Sequence, residues 1–200
     1  AVAALLETGL IDQNGKFRRD LPTDRLREGP DGYEYILARK EETLIQEDIV
    51  LTEIDIENLI RTKAAIYAGC KVLLESVGLG FKDVEQMIIA GGFGRHLDLE
   101  KAIFIGLLPE MEIEKFIFVG NGSLLGARLL SFSKDLLKEA ERIALMMTNL
   151  ELSNHPTFMN EFVAAMFLPH TDVSAFPKVM DGLYRMRKGV RSERMVEGQL

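Results

Sequence analysis

Two short apolar runs, each followed at once by glycines and then by a helix, constrain this chain more than any other feature. The first is VEQMIIA with GGFG behind it (Val84 to Gly94); the second is KFIFVG with NGS behind it (Lys115 to Ser123). A strand, a glycine turn and a helix thus occur twice within about 40 residues, the pattern of an α/β sheet with helices packed on it. Both runs read as buried strands. Asp98 caps the helix after the first turn and Pro109 ends it, and the helix after the second starts near Leu124. A glycine turn at the carboxyl end of a strand lets backbone approach a planar or anionic ligand without side chains in the way, and the next helix offers free N–H groups.

The first turn is neither G-x-G-x-x-G nor a Walker loop with its Lys and Ser/Thr, so the residues alone leave a ligand site and a simple tight turn equally open. For the second, Gly120, Asn121 and Gly122 either line a cleft or cap the helix, with Gly126 allowing close packing on the sheet. Packing is the favoured reading.

The rest of the chain supports these units. AVAALLETGLID reads as the end of an amphipathic helix closed by Gly9 and, lacking a Met, as part of a larger protein. DQNGKFRRDLPTDRLREGPDG is turn-rich. Tyr33–Ala38 and Glu47–Thr52 are strand candidates across the exposed, hairpin-like RKEET. Thr52 and Asp55 form a capping box for a helix to about Val77, with Ile56, Ile60, Tyr67, Cys70, Leu74 and Val77 as its buried stripe. NHPTFMNEFVAAMFLPH is a capped helix closed by Pro169, and FPKVMDGLYRMRKG a last short one.

Charge and cysteine count narrow the chemistry. A net charge of −7 over 200 residues argues against a nucleic-acid surface, and the basic RMRKGVRSER reads as a solvated tail. One cysteine, Cys70, allows neither a disulfide nor a cysteine-ligated cluster within the chain. A reducing, cytoplasmic setting is the default, and no stretch is of membrane-spanning length. His96, His155 and His170 have no ligand spacing between them, so no metal site is expected; His155 and His170 read as turn or cap residues. There is no G-x-S-x-G elbow, and Cys70 lies on the stripe of a helix. No catalytic residue is assigned.

Four blocks in order, LTEIDIENLIRTKAAIYAG, MIIAGGFGRHLDLEKAIFIGLLP, FVGNGSLLGAR and NHPTFMNEFVAAMFLPH, resemble the C-terminal region of the reductive activators of corrinoid proteins over about Thr52 to His170. Those proteins join an iron–sulfur domain to an ATPase domain of the acetate/sugar kinase, heat-shock chaperone and actin superfamily (ASKHA). The resemblance implies the second lobe of an actin-like (ribonuclease H-like) α/β ATPase fold, a mixed sheet with packed helices. Residues 1–200 are then a fragment of one larger ATPase domain: an adenosine-binding lobe over 48–170, a preceding helix and hairpin over 1–47, and a C-terminal helix and tail over 171–200. It also implies that Gly91, Gly92, Phe93 and Gly94 receive the adenosine of ATP (with Mg²⁺), while Arg61 and Lys63 offer polar groups from the preceding helix. Arg61 and Lys63 are equally readable as a solvated face.

The phosphate- and metal-positioning motifs and the cluster cysteines of such a protein lie outside this sequence, so the fragment alone is expected to be inactive. In the whole protein of these anaerobic methyl-transfer systems, the resemblance implies that ATP shifts a complex with the corrinoid protein toward a state in which Co(II) is reduced to Co(I). Moving a 1:99 balance to 99:1 takes roughly 5.5 kcal/mol of differential binding. A homodimer is left open. A kinase-like or dehydratase-activator ATPase of the same superfamily, or a non-enzymatic docking module, are the alternatives.

Overall fold

The computed structural model describes residues 1–186, and of these the side chains of Phe93 and Arg95 lie outside the description, as does the basic tail from residue 187 onward. The first helix, α1 (Val2–Glu7), buries Val2, Ala3, Leu5 and Leu6, and Gly9 turns the chain away from it at φ +72°. Asp12 Oδ1 then accepts the N–H groups of Asn14 and Lys16 at 2.8 and 2.9 Å, closing a tight loop whose ends pair at Ile11 and Phe17.

An antiparallel meander follows: β1 (Leu26–Gly29), β2 (Gly32–Ala38) and β3 (Ile49–Thr52). The turn-rich reading missed β1 because LREG has no apolar alternation. Its pairing to β2 sets Arg27 opposite Glu34, and Arg27 Nε donates to Glu34 Oε1 at 2.7 Å. That buried carboxylate is matched across the strands by the guanidinium.

The capping box forms as read. Thr52 Oγ1 accepts from Asp55 N at 3.1 Å and Asp55 Oδ2 accepts from Thr52 N at 2.9 Å, launching α2 (Glu53–Glu75). Ile56, Ile60 and Tyr67 of the expected stripe are buried, but the stripe then turns toward Ala64, Ala68 and Val72. Leu74 is half-buried and Val77 exposed. The straight 3.6-residue extrapolation overran because α6 (Phe158–Ala165) packs along α2 and ion-pairs through Glu161 with Lys71 at 2.6 Å.

Beyond α2 come β4 (Met87–Ala90), α3 (Leu99–Phe104), β5 (Phe116–Gly120), α4 (Gly122–Phe132), α5 (Lys134–Met146) and, after α6, a helix over 177–186, α7. Asp98 caps α3 by accepting from Lys101 N at 3.0 Å. Gly106 rather than Pro109 stops that helix. Its φ is +76°, and the amides of Gly106 and Leu107 return to the carbonyls of Ile103 and Ala102, a Schellman closure. β4 and β5 pair in parallel, in a sheet separate from the meander.

Neither parallel strand is buried as expected. Ile88 is 63% exposed, and Ile117, Phe118 and Val119 are all more than a third exposed. A two-stranded parallel sheet has no neighbours to cover its second face or its edges. α4 and α5 likewise bury no residue, and nothing lies within 4 Å of a Cβ built on Gly126, so the close packing expected of that glycine is not seen among the described residues.

The main core gathers Leu5, Leu6, Ile11, Phe17, Ile56, Ile60, Ile105, Leu168 and Leu183, drawing on both ends of the described chain. A second cluster packs Tyr67 in tilted contact with the rings of Phe81, His170 and Phe176 at centroid distances of 5.1 to 5.5 Å. A third, built on Ala102, Ile103, Leu108 and Phe116, seats α3 against β4 and β5.

Candidate nucleotide site

The two glycine turns, about 30 residues apart in sequence, meet at the carboxyl ends of β4 and β5, where parallel sheets generally present ligands. Met87, Ile88 and Ile89 stand opposite Phe116, Ile117 and Phe118; the register then slips so that Ala90 faces Gly120. One residue later the Gly91 N–H donates to the Gly120 carbonyl at 2.6 Å. Each turn needs glycine for its conformation, Gly91 at φ +114° and Gly120 at φ +67°. A Cβ added to Gly91, Gly92 or Gly120 would meet no atom within 4 Å, so bare backbone faces open space along both turns.

Gly94 differs from its neighbours. It is buried, and a Cβ there would sit 2.8 Å from Ile89 Cγ2 and 3.5 Å from the Phe118 ring. Its lack of a side chain lets the single-turn 3-10 segment Phe93–His96 lie down on the strands. The side chain of Phe93, expected near the nucleoside, lies outside the described residues.

Beside the Gly91 turn, Asn121 Oδ1 accepts from Leu124 N at 3.0 Å and caps α4, whose first-turn amides therefore begin next to both turns. A Cβ on Gly122 would come to 3.4 Å from that of Ala90. The second turn is both a cap and the neighbour of the first turn. Sequence reasoning weighted it toward packing, although the repeat of strand and glycine at equivalent strand ends was a signal for the junction.

The two polar candidates on α2 fare differently. Arg61 is exposed and pairs with Glu57 one turn earlier, an arrangement generally worth a few tenths of a kcal/mol and readily given up. Lys63 corrects both readings made of it. It is fully buried, and its Nζ donates to the carbonyls of Phe167 and Pro169, each at 2.5 Å. Pro169 in turn abuts Gly106, beyond the C-terminal end of α3, whereas the glycine turn precedes that helix. Burial pushes the Lys63 ammonium down to about 7. The one-dimensional stripe misplaced Lys63 because nothing in the sequence marks the two carbonyls that receive it.

The remaining titratable candidates have structural duties. His170 Nδ1 accepts from Asp172 N at 3.0 Å, and His155 Nδ1 pairs with Thr157 Oγ1 at 3.1 Å, both in turns. Burial, with the neighbouring Lys63 and Lys71, lowers His170 below the usual imidazole range. Cys70 is half-buried, and burial pushes its thiol up, away from a reactive thiolate. Among the described residues no group of three or more His, Cys, Asp and Glu side chains is placed to hold a metal ion, and no helix is long and apolar enough to cross a membrane.

Residues 1–180 match the family described as the C-terminal domain of RACo, the ASKHA domain. The chain is 34% identical over 170 residues to the corrinoid activation enzyme RamQ of Eubacterium limosum, covering 82% of this chain and 29% of that protein. It is 29% identical over 165 residues to the [Co(II) methylated amine-specific corrinoid protein] reductase of Methanosarcina barkeri, covering 82% of this chain and 26% of that one. A solved structure titled reductive activator for corrinoid, iron-sulfur protein superposes with a TM-score of 0.82 at 50% identity, over 88% of this chain and 28% of that chain. The chain therefore spans less than a third of the length of each of these relatives.

Proposed function

This chain belongs to the family of the C-terminal ASKHA domain of corrinoid reductive activators, and from that premise we propose that it supplies the adenosine-binding lobe of an ATP-dependent activator that returns Co(II) corrinoid protein to Co(I). The observation that carries the nucleotide reading is the joined pair of glycine turns, with Gly91 N–H on the Gly120 carbonyl and open space over Gly91, Gly92 and Gly120. A nucleoside fits such a cradle because no Cβ stands between ligand and backbone. Gly91 and Gly92 would hold the nucleoside from one side, Phe93 and Gly94 would complete and support that turn, and Arg61 would swing from Glu57 to the ligand.

Bound ATP with Mg²⁺ would supply the free energy that favours the electron-transfer-competent complex, and only its differential affinity for that state counts. The phosphate- and metal-positioning groups and the iron–sulfur cluster belong to other parts of the whole protein. Its partner is the corrinoid protein; a cytoplasmic setting and self-association into a dimer are parts of the same reading. The names of the relatives favour this activity over a kinase or a dehydratase activator.

Gly92→Val in the whole protein tests the site. Gly92 has helical φ and ψ (−63°, −36°) and open space beside it, so the valine side chain is tolerated by the fold and occupies the cradle. Calorimetric titration with ATP should show at least about tenfold weaker binding, or 1.4 kcal/mol, at an unchanged melting temperature. Parent-like affinity would remove the nucleotide from this turn.

A further inference from the structure

We propose that the tip of the β2–β3 hairpin, Arg39 to Asp48, is a docking peg for a separate protein that carries an apolar pocket rimmed by basic side chains. On the functional reading above, from which this inference takes its partner, that protein is the corrinoid protein.

Leu44 is fully exposed and Ile45 is 65% exposed at the tip, with Leu37 and Ile49 also exposed at its base. Leu44 buries nothing within the described chain, and Ile45 buries little. The loop that carries them is nonetheless well tied. Arg39 N donates to Glu42 Oε2 at 2.8 Å, Lys40 N to Asp48 Oδ1 at 2.7 Å, and Thr43 Oγ1 to the Glu47 carbonyl at 2.8 Å. Two ion pairs clamp its ends to the meander, Arg39 to Asp24 at 2.5 Å and Asp48 to Arg27 at 2.7 Å. Gln46 is held at φ +54°, in the left-handed region. A preordered loop of this kind gives up little conformational entropy when its aliphatic tip is covered.

Charge selects the kind of partner. Arg39 is matched by Asp24, Arg27 is shared between Asp48 and Glu34, and Lys40 lies 4.0 Å from Glu41. The carboxylates of Glu42 and Glu47 are the surplus, so the apolar tip wears an acidic rim that complements a basic one. An apolar centre with a charged rim is the anatomy of an interface between proteins that come apart. The exposed surface of β4, β5 and α4 contrasts with it: among those three elements Arg128 is the one charged residue and Ser123 and Ser131 are the polar ones, so the surface is more like a core face cut open.

The test uses the whole protein and its corrinoid protein, with binding measured by interferometry for the parent, the double variant L44S/I45S and E47K. The tip assignment expects L44S/I45S to bind at least thirtyfold more weakly with melting temperature and ATP affinity unchanged, since both side chains are exposed. It expects parent binding to weaken with added salt and E47K to flatten that dependence. Undiminished binding by L44S/I45S overturns the peg, and an unchanged salt response in E47K overturns the basic rim. A drop in the melting temperature of L44S/I45S would instead put the same polypeptide over the tip. A shift from dimer to monomer by light scattering would put a second copy there. Failure of the parent itself to bind the corrinoid protein would sink the functional reading, independently of the tip.

Discussion

Lys63→Met, read through the pH dependence of stability, probes the least expected contact in the structure. The Lys63 ammonium is fully buried and, among the described residues, bonded to the carbonyls of Phe167 and Pro169, and burial brings it from 10.5 to about 7. Between these values the unfolded chain holds a proton on this amine that the folded chain has released. Stability therefore rises with pH through that window, and below about pH 7 both states are charged and the contribution is flat at its minimum. From pH 7.0 to 8.5 the two titrations add on the order of 1–2 kcal/mol of stability.

The upper limit is set by Cys70 and Tyr67, whose burial-raised pKa values act in the opposite sense once the unfolded thiol and phenol ionise. His170 is lowered and acts below the window. Methionine preserves most of the volume but leaves two buried carbonyls without a donor, a cost of about 2–4 kcal/mol at pH 8.5. Because the parent is itself weaker at pH 7.0, the deficit there is smaller by that same amount, on the order of 1–2 kcal/mol. Urea denaturation followed by circular dichroism at the two pH values measures both quantities. A parent whose stability does not rise, or a methionine variant with the same rise, would refute the buried-amine account.

Two further changes separate structure from site. Gly94→Ala puts a Cβ 2.8 Å from Ile89 Cγ2, and thermal melting should show a loss of about 1–3 kcal/mol from overpacking; parent-like melting would mean that this glycine does not set the fit of the turn to the strands. Thr52→Ala removes the acceptor for Asp55 N and should cost about 1 kcal/mol, with faster hydrogen exchange confined to the first turn of α2; unchanged exchange would show the capping box to be dispensable.

Features written within a few residues were legible in the sequence. Thr52 and Asp55 announce the start of α2, Asp98 that of α3, and each strand–glycine–helix unit stands where it was read, because caps and left-handed turns are decided by neighbours along the chain. The family too was legible, from four blocks in order. What the blocks face was not. Lys63 reads as a polar group on a helix and ends at two main-chain carbonyls about 100 residues downstream. β4 and β5 read as buried strands and stay partly bare, since burial depends on what packs against a strand and not on its own apolarity.

The sequence by itself determined most of the elements, the caps at Thr52 and Asp98 and the two glycine turns, all set by local backbone energetics, whereas β1 and the stop of α3 at Gly106 emerged in the fold. Only the tertiary structure decided that Gly91 meets Gly120, that Gly94 serves packing, and that a lysine belongs to the interior, because those outcomes depend on contacts between segments distant in the chain.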